Sequence, residues 1–181
     1  ADSVASASAT TYHNETAVEL GIGRETSARR AAEMMERASL PDQVEVDLTE
    51  ARYEAAIKGR RVLVLDSVSL VRQGDEGRLV VCGSHASILG ADRRSACKID
   101  VGAIAFNDAG RPDRATRLPA LDDRGIAAVA VRHDSARIGD GAHTLDHGVI
   151  SVINNSARAT GAEIGMRILE WIAATTLEDD T

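Results

Sequence analysis

The apolar positions of this chain gather into short continuous runs instead of alternating with polar ones. Val62–Asp66 (VLVLD), Leu79–Gly83 (LVVCG), Val101–Phe106 (VGAIAF) and Ala127–Val131 are each bounded by Gly or charged residues, and each reads as a strand. Strands apolar on both faces belong to parallel sheets covered by helices on either side. Val44–Leu48 is a weaker strand candidate. Helix-like stretches lie between them. Ser27–Leu40 opens on a Thr26/Ser27 cap and stops at Pro41. Leu48–Ile57, halted by Gly59, and Ser87–Cys97 come next. Leu118–Arg124 ends at Gly125 in a C′ position, and His143–Ala159 and Ile164–Thr175 complete the set. This alternation predicts an α/β fold, a three-layer sandwich with a mainly parallel sheet of four to five strands. The link from Ser67 to Arg78 is short for a crossover helix, so strand order stays open there.

The ends differ from the middle. Residues 1–14 (ADSVASASATTYHN) lack hydrophobic periodicity and read as a flexible N-terminal arm; 15–176 read as one α/β domain and 177–181 as an acidic tail. The arm has neither the basic start nor the apolar stretch of a secretory signal, which makes the cytoplasm the expected location. A homo-oligomer is expected, with the arm and the apolar helix carrying Trp171 as natural interface elements.

Composition narrows the function classes. A chain of 181 residues that is 44% hydrophobic and 27% charged is ordinary for a folded soluble domain. A net charge of −7 argues against binding to nucleic-acid backbones. Tyr12, Tyr53, Phe106 and Trp171 are the only aromatics, too few for base-stacking platforms. No run of about 18 apolar residues exists to span a membrane. Cys82 and Cys97 cannot build a disulfide framework or a four-ligand zinc site, and Cys82 in its apolar run reads as a buried thiol. The only lysines are Lys58 and Lys98, so a side chain that holds an anion is expected to be an Arg fork.

Ligands of open parallel sheets sit beyond the carboxyl ends of the strands. Each of the four strands runs there into small and polar residues: Asp66-Ser67-Val68-Ser69, Gly83-Ser84-His85-Ala86-Ser87, Asn107-Asp108-Ala109-Gly110, and His133 through Gly141. Gly83-Ser84-His85 before an expected helix makes Ser84 either a nucleophile or a helix cap, although the G-x-S-x-G elbow is not matched. The order Ser84, Asp108, His133 parallels that of α/β hydrolases, with His133 as base and Asp108 or Asp134 orienting its ring. His85 is a second acid/base candidate, and either imidazole has a plain alternative in bonding loop backbone. Ser135-Ala136-Arg137-Ile138-Gly139-Asp140-Gly141 offers Arg137 to a carboxylate or phosphate, unless Arg137 and Asp140 simply pair in a surface turn. Gly21–Thr26 is similar to a phosphate loop but lacks the third Gly of a dinucleotide fingerprint. His143 and His147 stand four apart, as two metal ligands on a helix would, but without the Glu of a zincin motif.

The strings GSH, FNDAG and SARIGDG resemble uncharacterised bacterial α/β proteins over residues 62 to 166. The resemblance carries no activity and no functional residue across. The expected function is therefore a metal-independent, cofactor-free hydrolase of a small polar or anionic amide or ester. Ser84, His133, Asp108 and His85 are its catalytic candidates; Asp66, Ser67, Asn107, Ser135, Arg137 and Asp140 are expected to bind substrate. A lyase or isomerase using His acid/base chemistry fits the same loops, as does a non-catalytic anion-binding subunit.

Overall fold

The computed structural model describes residues 9–10, 12–39 and 49–175. It divides into two compact units, Ala1–Asp47 and Leu48–Thr181, a division that falls inside the stretch expected to be one domain. The strand expected at Val44–Leu48 lies outside the described residues.

In the first unit, α1 (Glu15–Glu19) is capped by Asn14 and α2 (Ala28–Glu36) by Ser27, whose side chains accept from Ala17 N and Arg30 N. Thr10, expected to belong to a flexible arm, is bonded to the loop between the helices: its N–H donates to Thr26 O and its hydroxyl to Gly23 O. That loop does not form a phosphate cradle. The N–H groups of Gly21, Ile22, Gly23, Glu25 and Thr26 are all consumed by neighbouring oxygens.

The second unit is built on a six-stranded sheet in sequential order: β1 (Arg52–Ile57), β2 (Arg60–Leu65), β3 (Leu79–His85), β4 (Ala103–Asn107), β5 (Ala127–Val131) and β6 (Ile150–Ile153). The four central strands are the four read from the sequence, and they are parallel. Both edges are antiparallel, so the sheet is mixed and larger than four to five strands.

Three expected helices differ. Leu48–Ile57 is not a helix: Lys58 and Gly59, both at positive φ (47° and 85°), form a two-residue hairpin turn that folds β1 onto β2. Such turns match the twist of paired strands and override the helix-forming Ala and Glu of the segment. Ser87–Cys97 holds only a 3₁₀ turn at Arg93–Ala96. His143–Ala159 is interrupted. The helix α4 (Gly141–His147) stops at Gly148, whose position has no room for a side chain: a Cβ would lie 2.4 Å from Thr144 O. The β-branched run that follows makes β6, and α5 (Asn155–Ala159) starts after it. The remaining helices are α3 (Arg117–Asp122) and α6 (Ile168–Ala174).

Parallel crossovers of the usual right hand, taken in one direction across a sheet, all return over the same face. Here Val71, Ala96, Cys97, Leu118 and Leu121 from the three crossovers cover Leu65, Val80, Cys82, Ile104 and Phe106. Leu145, Ala157, Ile168, Trp171 and Ile172, from the helices after β5, cover the other face. Trp171 is thus part of the chain's own core, 1% exposed, with its indole N–H donated to Thr160 Oγ1 at 3.1 Å. The indole itself is therefore not exposed to a partner. Among the described residues no helix is long and apolar enough to cross a membrane.

Asn154 ties β5 to the flanking helices. Buried, it accepts from Ala128 N (3.0 Å) and Ala157 N (2.8 Å) and donates to Leu118 O (3.2 Å) and Ile126 O (2.8 Å). Asn154→Ala orphans these buried backbone groups and is expected to cost about 3 kcal/mol or more. Asn155→Ala, which loses one exposed bond to Asp122, should cost under about 1 kcal/mol. Urea denaturation of both variants measures the difference.

Candidate active site

The carboxyl ends of β2 to β5 lie side by side, and the segment 132–140 is bonded across them. Asn107 at the end of β4 is fully buried and donates from Nδ2 to Ala136 O at 2.8 Å. Gly139 N donates to Gly83 O at 2.7 Å. Asp66, at the end of β2, accepts from Gly141 N at 3.0 Å and from Ala51 N at 2.7 Å, joining the first turn of α4 to the start of β1. Asp140 caps α4 by accepting from His143 N at 2.7 Å.

The clearest chemical pair stands at the ends of β4 and β5. Asp108 is 4% exposed. Its Oδ1 accepts from Gly110 N at 2.9 Å and His133 N at 3.0 Å, and lies 3.5 Å from His133 Nδ1. The imidazole itself is exposed. A buried carboxylate bonded to the backbone N–H of His133 and 3.5 Å from one nitrogen of its exposed ring sets an acceptor beside an imidazole, as acid/base chemistry requires. The turn that presents Asp108 is tight: Ala109 and Gly110 are both left-handed, at φ 53° and 71°. Asn107 Oδ1 bonds Ala109 N there at 2.8 Å. A Cβ on Gly110 would touch the His133 ring at 3.4 Å. Left-handed geometry costs a non-glycine residue of order 1 kcal/mol.

Ser84 is not part of that pair. It lies within β3, so it is neither a helix cap nor the start of a helix, and its Oγ accepts from Val68 N at 2.9 Å. No hydrogen bond joins Ser84 to His133 or His85. The helix expected directly after Ser84 does not form. His85 is half-buried, and its Nδ1 accepts from Ser87 N at 3.2 Å. Ser135 Oγ donates to Arg132 O and accepts from Val149 N, holding the loop to β6. Ser67 caps the 3₁₀ turn Val68–Leu70. Asp134 pairs with Arg132, not with His133. Arg137 is 74% exposed, with Nε 3.9 Å from Asp140 Oδ2, too far for a firm bond and open to an incoming anion.

His143 and His147 face each other with ring centroids 4.4 Å apart, and His143 Nδ1 accepts from Arg137 N. Among the described residues, no three His, Cys, Asp or Glu side chains converge to hold a metal ion. Burial pushes the Cys82 thiol up to about 12 and raises that of Cys97. Neither is a ready nucleophile.

Arg117 carries no sequence signal and stands just before the helix expected at Leu118–Arg124. It is 7% exposed and has no carboxylate partner. Its guanidinium donates to the carbonyls of His85, Ser95 and Ala96 and lies 5.5 Å from the Phe106 ring centroid. Desolvation lowers its pKa. The side chain fastens the exit of β3 to the following crossover, and so places His85. No family model, curated protein or solved structure matches the chain.

Where segment 139–141 meets β2 and β3, Gly83 and Gly141 have no room for a side chain. A Cβ on Gly83 would lie 2.3 Å from Asp140 N. Gly83→Ala must therefore displace backbone, and a loss of about 3 kcal/mol or more is expected. Gly59→Ala meets nothing within 4 Å and should cost only the left-handed strain, about 1–2 kcal/mol. Thermal or chemical unfolding of the two variants provides the comparison.

Proposed function

We propose that the chain is an enzyme acting on a small polar or anionic substrate by proton transfer at the carboxyl ends of β2 to β5. His133 is the acid/base, Asp108 orients it, and Arg137 holds a carboxylate or phosphate of the substrate. The observation that carries this reading is the contact of buried Asp108 with both the backbone and the ring of exposed His133. It favours a lyase or isomerase over a hydrolase that uses Ser84 as nucleophile, because Ser84 is bonded to Val68 N and to neither imidazole. Hydrolysis by a water activated at His133 would use the same pair, and product analysis distinguishes it.

A thermal-shift screen of small carboxylates, amides and phosphates, followed by turnover assays on the hits, tests the proposal. Turnover should fall by roughly 10²–10⁴ in His133→Ala and recover partly with added imidazole. Asp108→Asn keeps acceptors for Gly110 N and His133 N and should lose rate while remaining folded. Full turnover in His133→Ala would overturn the assignment, and saturable binding without turnover would make this a binding protein. Arg137→Lys keeps the charge but not the two-pronged contact. It should weaken anion binding at this site with the melting temperature unchanged, as the side chain is exposed and loosely held.

A further inference from the structure

The opposite, amino-terminal ends of β4 and β5 hold a concave feature of about 490 Å³, within the usual range for small-molecule sites. It lies between the Arg93–Ala96 turn, the residues that lead into β4 and the end of α3. Arg93, Arg94, Lys98 and Arg124 line it, with Asp100 and Asp123. The carboxylates are each taken: Asp123 pairs with Arg93 and Asp100 with Arg124. Arg124 NH1 also donates to Cys97 O at 2.7 Å and Arg93 NH2 to Pro119 O at 3.4 Å. These bonds hold the two guanidiniums on the wall. Arg94 and Lys98 are exposed side chains with no carboxylate partner among the described residues. The cleft therefore carries a local excess of positive charge in a chain whose net charge is −7.

We infer that this cleft is a binding site for a compact polyanion of the diphosphate class, separate from the His133 site. Guanidinium forks match phosphate oxygens in pairs, and a lysine adds a mobile point charge. Two guanidiniums already positioned by carbonyls and carboxylates require little further ordering, and Arg94 and Lys98 supply the unneutralised charge that attracts the ligand. A carboxylate partner for either cation would remove that attraction. A site at the far ends of the strands suits an effector or a carrier group rather than the reacting atoms.

Isothermal titration with inorganic pyrophosphate at low ionic strength tests this on the full chain. Wild type should show saturable binding, and Arg94→Ala/Lys98→Ala should weaken it at least tenfold. Neither side chain makes a bond in the fold, so the double variant should melt with wild type. In the Arg137→Ala background, which removes the anion contact proposed beside His133, saturable binding should persist and should still depend on Arg94 and Lys98. Failure of wild type to saturate, unchanged affinity in the double variant, or loss of binding in Arg137→Ala alone would each overturn the inference. If the double variant unfolds, Arg94→Glu and Lys98→Glu taken singly replace it: each must weaken binding for the site to stand.

Discussion

Gly139, Asp140 and Gly141 lie directly on the backbones of β2 and β3, and most of the second unit is arranged around that contact. Gly141 would place a Cβ 2.2 Å from Leu65 O, and Gly83 one 2.3 Å from Asp140 N. With no side chain between them, the two backbones come close enough for Gly139 N to bond Gly83 O and for Asp66 to receive Gly141 N. Each bond contributes only about 1 kcal/mol. Their larger effect is positional. They lay segment 132–140 across the strand ends and start α4 where Leu145 reaches the core.

The two faces of the sheet are closed by different means. The crossovers between parallel strands are short and poor in helix, so one face is covered largely by turns and 3₁₀ segments. Turns leave more backbone groups to satisfy than helices do. Buried polar side chains meet part of that need: Arg117 collects one carbonyl at the end of β3 and two from the crossover after it, and Asn154 serves four backbone groups around α3, β5 and α5. Arg117 is held without a counter-ion, a costly arrangement that its carbonyls and the Phe106 ring partly offset. The opposite face is closed by apolar side chains of α4 to α6, including Trp171.

Polar chemistry is concentrated at the two ends of the strands. At the carboxyl ends the buried carboxylate of Asp108, the exposed imidazole of His133 and the exposed guanidinium of Arg137 surround a left-handed turn. At the amino ends the polar chemistry is cationic. The first arrangement suits moving a proton, the second suits holding a polyanion.

Hydrophobic patterning was enough to find β2 to β5, because strands buried on both faces must be apolar at every position. The same pattern missed β1, whose half-buried RYEAAI is composed of good helix formers and becomes a strand only by pairing with β2. It also merged α4, β6 and α5 into one helix, since the break depends on how closely Gly148 packs against Thr144, Val131 and Ile168. For the site, the rule that loops follow strand ends located Asp108, His133 and Arg137. Sequence could not say which of these groups meet, because hydrogen bonds between neighbouring strands join residues far apart in the chain. Asp108 reaches His133 twenty-five positions later, and Ser84 is bonded by Val68 sixteen positions earlier. The sequence determined the residue types at the strand ends, because burial dictates where the strands run. Only the tertiary structure decided their partners, because strand adjacency and close glycine contacts set those distances.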